Sequence, residues 1–566
     1  MRQLDGGSAG RGGLMLGVAW LLVAPLALAV AAGKPPRLPE TRSWTGRSVL
    51  LTPHGTFHRF YMSTVDGQPS LVRVESTDDG VTWSEPRVMT HMPDGGFGGC
   101  SAVLTPDGEI QLFITKGRRI NDGTKPAVDR FIDLWHMRSS NGQTKWTEPR
   151  MVFEGYIGSI SNSIQLESGR IINPFGSWIP GSVSGPPTGN QFVTVISSND
   201  NGETFNQSDA KLVSPCYPDY NGANVGACEP AIVQLADGRV WMVMRTQAGF
   251  LYESFSDDGV TWSDAKPSRF HASTGPPDVV RLPDDRIALF WNSAEMPPRV
   301  DGRGVYGGRD VLHAAIADPE LKTWHGFREI YRDPTRHQIP PKRGDRGTAY
   351  PDAIVTRDGN VAVMSGQGGL RQLILVDPHW LYETRASTHF SDGLEQWTVF
   401  KSFGPASGWW RDRAQGPVLI DHPDKPGRKA LHVRKPDEND PDGAVWNFPN
   451  GRAGTLSLRF RINDGCRGAS VALNDRFFDP SDDAGEKLAI FQLPFDDVEP
   501  DKWHTLELAW DIDAERCTMR LNGQQTATLT QRNETPNGIS YLRLRSTADT
   551  IDAGWLIESI DVQVNN

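Results

Sequence analysis

The chain comprises 566 residues with 69 acidic and 58 basic side chains, a formal net charge of −11. That length holds about two to four domains with ample cores, and the negative balance, spread without long basic runs, excludes nucleic acid or another polyanion as partner. Five cysteines are too few for a disulfide scaffold, and none of the 13 histidines stands in HExxH or CxxC-type spacing, so neither a catalytic metal nor another cofactor is expected.

Residues 1–33 read as a secretory signal. Arg2 and Arg11 precede the apolar run LMLGVAWLLVAPLALAVAAG, which ends in small residues, and cleavage is expected near Ala31. The mature chain is therefore predicted to be exported: secreted, periplasmic or at the cell surface. No later stretch reaches the roughly 18 consecutive apolar residues of a membrane helix, so no membrane span is expected in it.

From residue 48 to residue 364 one pattern recurs six times: an apolar run, a turn with Gly or Asp, and a second apolar run. It appears as SVLLTPHGTFHRFYM, SAVLTPDGEIQLFIT, SIQLESGRIINPF, AIVQLADGRVWMVMR, VVRLPDDRIALFWN and AIVTRDGNVAVM. A repeat of roughly 60 residues with about four short strands each predicts an all-β, six-bladed β-propeller over residues 41–385. A second signature follows the hairpins. STDDGVTW (76–83) and SNDNGETF (198–205) fit SxDxGxT plus an aromatic residue, while FSDDGVTW, SSNGQTKW and ADPELKTW are degraded copies. Their Ser and Asp side chains are suited to bonding turn backbone, and the aromatic residue to packing between sheets. Asp78 and Asp200 are thus surface turn residues rather than catalytic ones.

Beyond YETRASTHFSDGLEQWTVF the pattern changes to the alternating runs GTLSLRFRI, WHTLELAWDI and CTMRLNGQQTATL, the last carrying an Asn-Gly hairpin turn. Residues 388–566 are predicted to form a separate β-sandwich of the jelly-roll kind, similar to concanavalin-type and laminin-G-like domains. Trp409 and Trp410 in GWWRDR are placed either on sugar rings or against the propeller. The acidic loop DENDPDG reads as solvated turns, with a calcium site as the alternative. Cys216 with Cys228 and Cys466 with Cys517 are the plausible disulfide pairs, and Cys100 is expected as a small core residue.

In a propeller the first strand of each blade starts beside the central axis, so the residues just before the six hairpins are comparable. They are Arg47, Cys100 with Ser101, Asn162, Glu229, Asp278 and Tyr350. An arginine, a glutamate and a tyrosine directed at one pocket are not what a satisfied core uses. Arg245, at the end of the fourth blade's second strand, and Arg309, opening the fifth blade's third strand, are expected on the same face. Arginines clustered in an acidic chain indicate an anionic substrate, and their forked guanidinium groups suit a carboxylate.

The boxes, together with EPAIVQLADGRVWMVMR and YPDAIVTRDG, resemble the sialidase (neuraminidase) family, whose Asp-box (BNR) repeats lie on a six-bladed propeller. The resemblance implies an arginine triad that grips the carboxylate of an acidic sugar. Arg245 and Arg309 match by context. Arg47 is the third member, although GRSVLL stands where the family has an Arg-Ile-Pro signature, and Arg118 or Arg119 in TKGRRIND is the alternative source of that charge. It also implies Tyr350 as nucleophile, Glu229 as its base and Asp66 in STVDGQP as the acid, with Asp122 as fallback; Asp66-Gly67 reads equally as an ordinary turn. A neutral phenol approaches an anomeric carbon bearing a carboxylate without like-charge repulsion, and sialidases are the exception to the two-carboxylate rule of glycosidases.

The function expected is that of an exo-α-sialidase-like glycoside hydrolase that releases a terminal acidic sugar from glycans or glycoconjugates with retention. Two rivals share the scaffold: a hydrolase or lyase acting on another acidic, uronate-containing glycan, and a non-catalytic glycan-binding propeller.

Overall fold

The computed structural model of the protein describes residues 39–565 apart from 44–48, 53–54, 92–95, 120–129, 141, 159, 161, 179–189, 216–224, 296–307, 339–346, 368–370, 408–409, 435–441, 467–468, 496–497 and 547–552. The predicted signal at residues 1–33 lies outside this range. Among the described residues no helix is long and apolar enough to cross a membrane.

Six sheets on one plan, antiparallel except for a short parallel pairing of Val225–Gly226 with Asn190–Ser198 in the third, occupy the first part of the chain. The first runs through Val49–Leu51, Phe57–Val65, Gln68–Ser76 and Arg87–His91, and the fourth through Cys228–Gln234, Val240–Arg245, Phe250–Ser256 and Lys266–His271. The fifth holds Asp278–Arg281, Ile287–Trp291, Val311–Ala317 and Trp324–Arg332. The sixth takes three strands, Asp352–Val355, Val361–Ser365 and Gln372–Val376, and gains its fourth from Glu40–Ser43 at the other end of the chain. Inner strands such as Val240–Arg245 are buried at every position, because a neighbouring sheet covers each face and alternation of apolar and polar residues has no solvent side to serve. Leu50, Ala102, Ile164, Val233, Val280 and Ile354, one from each first hairpin strand, line a single cavity of about 460 Å³. The chain therefore has the six-bladed propeller expected.

The boxes are turn devices. Asp78 accepts from the Thr82 amide at 2.9 Å and from its hydroxyl at 2.6 Å, while Ser76 accepts from Gly80 N at 2.9 Å and donates to Asp78 at 2.7 Å. Asp79 and Gly80 follow each other with φ of 54° and 81°, the reason for glycine there. These bonds hold the exposed Asp78 carboxyl down at about 2. The box around Asp200 repeats the same bonds. Each box aromatic packs on the preceding sheet. Trp146 of the second sheet lies 6.1 Å from Phe60 of the first, Phe205 of the third 5.6 Å from Phe113 of the second, and Trp324 of the fifth 5.9 Å from Trp241 of the fourth. Trp83 of the first sheet packs on Ala362, Met364 and Leu373 of the sixth.

Two larger sheets, of eight and six strands, follow from Arg385. They enclose one core containing Trp397, Trp446, Phe448, Phe460, Trp510 and Trp555, the sandwich read from the alternating tail. The expected Asn-Gly turn joins Arg516–Leu521 to Gln524–Thr530, with φ of 52° at Asn522 and 80° at Gly523, as a two-residue hairpin requires. The sandwich docks on the fifth propeller sheet. Ala294 bridges to Phe477, with Glu295 N donating to Phe477 O at 2.8 Å and Phe477 N to Ser293 O at 2.9 Å. Nearby, Tyr541 donates to Glu329 at 2.6 Å and contacts His313.

Three tail readings fare differently. The Cys466–Cys517 pairing is corrected: Cys517 is a free thiol, pushed up to about 12 by burial inside the sandwich. Trp409 and residues 437–441 lie outside the described range, as does the side chain of Trp410. Asp442, the one described acid of DENDPDG, is fully buried, pairs with Arg434 at 3.3 Å and is raised to about 6 by that burial, which makes it a structural carboxyl rather than a loop residue.

The interlocking of box aromatics with preceding sheets has a measurable consequence. Trp324→Ala should lower stability by about 3–5 kcal/mol, the cost of an unfilled aromatic site, read as a shift in the chemical unfolding midpoint. An unshifted midpoint would contradict the packing role.

Candidate active site

Tyr350 and Glu229 meet although 121 residues separate them. The Tyr350 hydroxyl donates to Glu229 Oε1 at 3.0 Å, and Arg245 Nη1 donates to Glu229 Oε2 at 2.5 Å. One carboxylate thus joins a phenol from the sixth sheet to a guanidinium from the fourth. Arg309 lies over the Tyr350 ring, 5.6 Å from its centroid, and donates to Gln367 Oε1 at 2.9 Å and to Thr274 O at 2.7 Å. Arg245 and Arg309 are each only 1% exposed, whereas Tyr350 is half-buried. Arginines taken this far from water are held by hydrogen-bonding partners rather than by solvent.

Backbone geometry aims these side chains. Glu229 has φ of 47° and Tyr350 φ of 63°, a left-handed conformation uncommon outside glycine and found at sites where the surroundings enforce it. At Glu229 the strand bulges, since the register with the second strand shifts between Cys228 and Ala231, and a bulge re-aims a side chain. Before Tyr350, Thr348 N donates to Arg309 O at 2.7 Å, while Gly366 N donates to Ala349 O at 3.1 Å. Gly347 is required in this segment: at φ of 97°, a Cβ there would stand 2.2 Å from Arg309 O.

Three of the other entrances use their side chains to bond neighbouring sheets, and of these Ser101 and Asn162 also line the axial cavity, as expected. Asn162 bonds the backbone of Ile232 in the next sheet through both ends of its amide, Nδ2 donating to Ile232 O at 2.8 Å and Oδ1 accepting from Ile232 N at 2.9 Å. Asp278 accepts from Ala353 N of the sixth sheet at 2.7 Å, and burial together with the Asp352 carboxylate raises it well above the ordinary range. Ser101 donates to Ser163 of the third sheet at 3.1 Å, and Cys100 is core, its thiol 3.5 Å from Phe60 O. These four positions clamp neighbouring sheets together near the axis.

Arg47 and Asp122 lie outside the described residues, as do the side chains of Arg118 and Arg119. Asp66 is an exposed residue at the tip of a hairpin between the second and third strands of the first sheet. It precedes Gly67 with φ of 52° and 76° respectively, the pattern of a two-residue turn. Among the described contacts it has no bond to Tyr350, Glu229, Arg245 or Arg309. Its turn nevertheless occupies, in the first sheet, the place where Arg245 and Arg309 stand in theirs: the end at which second strands finish and third strands begin. The Cys216–Cys228 bridge is not formed, since Cys228 is a buried free thiol raised to about 12 by desolvation; Cys216 itself lies outside the described residues. Gln367 and Thr274 were not signalled by any motif, because each acts through a bond to Arg309 that only the fold creates.

Residues 98–363 match the family described as BNR repeat-like domain. No curated protein matches the chain. Among solved structures it is similar to Trypanosoma rangeli sialidase in complex with 2,3-difluorosialic acid, at 13% identity and a TM-score of 0.41, covering 92% of this chain and 91% of that one. It is also similar to a protein of unknown function from Dyadobacter fermentans, at 18% identity and a TM-score of 0.44 over 60% of this chain and 99% of that one. A mutant of the NanB sialidase from Streptococcus pneumoniae aligns at 12% identity and a TM-score of 0.41 over 60% and 68%. The repeat match over residues 98–363 and the six sheets agree: this part of the chain is similar to a BNR repeat-like domain and is built as a β-propeller.

Proposed function

We propose that the protein is an exported, retaining exo-α-sialidase-like glycoside hydrolase that releases a terminal acidic sugar from glycans, with Tyr350 as nucleophile and Glu229 as its base. The observation that carries this reading is the 3.0 Å hydrogen bond from the Tyr350 hydroxyl to Glu229 Oε1, made between two residues of left-handed backbone. Phenol has an ordinary pKa near 10 and attacks only when a base takes its proton. Glu229 Oε1 is already the acceptor of that proton, and Arg245 on the other oxygen fixes the carboxylate's orientation. Arg245, Arg309 and Arg47 hold the sugar carboxylate, and Asp66 supplies the leaving group's proton.

In the first step the Tyr350 oxygen bonds to the anomeric carbon while the bond to the aglycone oxygen breaks. The phenolic proton passes to Glu229, and the departing oxygen takes a proton from Asp66. In the second step Asp66 accepts a proton from water, water oxygen bonds to the anomeric carbon, and tyrosine leaves as it regains its proton from Glu229. Two displacements at one carbon retain configuration.

Tyr350→Phe keeps the ring and removes the attacking oxygen. The protein should stay folded, losing at most one hydrogen bond worth about 0.5–1.5 kcal/mol, while turnover of a sialoside falls by several orders of magnitude; Glu229→Gln should do the same. Near-normal turnover by Tyr350→Phe would end the proposed mechanism. A parallel screen of uronate-containing glycans, followed by the absorbance of an unsaturated product, identifies the rival chemistry if sialosides are not cleaved.

The acid assignment has its own test. Asp66→Asn should slow release of alkyl or sugar leaving groups about 10²–10⁴-fold, yet leave an activated aryl leaving group nearly unaffected, because that oxygen departs without a proton. Equal effects on both substrate types would remove Asp66 from this role.

A further inference from the structure

Arg309 is followed by Asp310, and Asp310 faces the sandwich. Arg413, on the sandwich strand Trp410–Gln415, clasps it with both arms of its guanidinium: Nη2 to Oδ1 at 2.5 Å and Nη1 to Oδ2 at 3.1 Å. The two side chains are 3% and 5% exposed, and the Arg413 guanidinium lies 4.4 Å from the Phe400 ring centroid. A second link runs beside the first. Asp310 O accepts from Asp333 N at 2.8 Å, Asp333 O accepts from Arg336 N at 3.0 Å, and Arg336 Nη2 donates to Trp397 O of the sandwich at 2.8 Å.

On its other side Arg309 holds the tyrosine segment. Its carbonyl accepts from Thr348 N at 2.7 Å and from Thr348 Oγ1 at 3.1 Å, two residues before Tyr350. The chain of contacts from sandwich to tyrosine therefore has three short steps: Arg413 to Asp310, along the backbone to Arg309, and across to Thr348. A buried ion pair is a poor stabiliser compared with apolar packing of the same volume, whereas its directional fork fixes geometry. The apolar and backbone contacts around Phe477 already dock the sandwich. A charge pair placed next to Arg309 serves orientation.

We infer that Arg413 is a positioning residue: through Asp310 it holds the carboxylate-binding Arg309 and the Tyr350 segment in place, so that the site is complete only with the sandwich docked. The catalytic consequence rests on the sialidase-like reading, whereas the positioning itself is read without turnover.

The test uses the full chain with Arg413→Met, which keeps the stem and removes the fork, with Arg413→Lys, and with Asn537→Ala. Asn537 is an interface residue outside the Arg413–Asp310–Arg309–Thr348 chain of contacts that bonds Arg269 between sandwich and propeller at 2.6 and 2.8 Å. Hydrogen exchange at the Thr348 amide should speed up about ten-fold or more in Arg413→Met, with the second sheet's amides unchanged, and less in Arg413→Lys. On an aryl sialoside KM should rise about ten-fold with a smaller change in kcat, since it is the carboxylate grip that loosens. Asn537→Ala should move neither readout. Unchanged Thr348 exchange in a folded Arg413→Met protein, or equal effects from Asn537→Ala, would overturn the inference. If Arg413→Met does not fold, Arg413→Lys, which keeps the charge and loses the fork, is judged by the same readouts. A parent chain that cleaves no acidic glycoside refutes the sialidase-like reading alone, and the exchange data then decide the clasp.

Discussion

Everything at the candidate site depends on the shared carboxylate of Glu229, which bonds a phenol from one sheet and a guanidinium from its own. That sharing is possible only because first strands of different sheets begin beside the same axis, so residues more than a hundred positions apart start within hydrogen-bonding reach. The backbone is bent to the task. Left-handed φ at a non-glycine residue costs about 1–3 kcal/mol, and here two such residues face each other. The surrounding sheets offset that cost, which is why the strain sits in a propeller with large buried inner strands rather than in a mobile loop.

The sheets keep their mutual angles through two repeated devices at opposite radii. Near the axis, polar entrance residues such as Asn162 and Asp278 bond the backbone of a neighbouring first strand. At the outer end, box aromatics wedge against the preceding sheet. The inner device uses the same chain positions as the catalytic candidates. Three of the described entrances, at Cys100 with Ser101, Asn162 and Asp278, therefore secure the scaffold, and two, Glu229 and Tyr350, bond to each other instead. What separates the groups is conformation rather than residue type: Asp278 is a carboxyl residue like Glu229, yet its side chain accepts from the Ala353 amide.

Much of this was legible in the sequence because a repeat reports itself. Six hairpins of like spacing gave the propeller, and the position of Tyr350, Glu229, Arg245 and Arg309 within their copies gave the convergence. The registers of Asp66 and its glycine were equally readable as a turn, and the structure shows that turn. What stayed hidden were bonds that no spacing encodes. Nothing in GWWRDRAQ marks Arg413 as the partner of Asp310, since the two are 103 residues apart and on different sheets. The bonds of Asn162 and Asp278 stayed hidden for a related reason: a polar residue aimed at an axis and one bonded to the adjacent strand occupy the same place in the pattern. The cysteines failed because spacing and an exported setting say nothing of burial, and Cys228 and Cys517 each lie inside a core.

The sixth sheet borrows its outer strand from the beginning of the chain, Glu40–Ser43 pairing with Gln372–Val376 across more than three hundred residues. During synthesis that segment is made first and can find its partner only after five other sheets have been laid down. Until then both it and the edge of Gln372–Val376 present unpaired amides and carbonyls, the kind of edge that recruits other chains. Long-range pairing of this order also makes the final closure slow. Because Tyr350 enters the first strand of the same sheet, the nucleophile candidate belongs to the last blade to be finished, and a chain that stalls before this pairing carries an incomplete site together with a sticky edge. Closure of the sixth sheet and placement of the Tyr350 segment are therefore coupled, late in the life of the nascent chain.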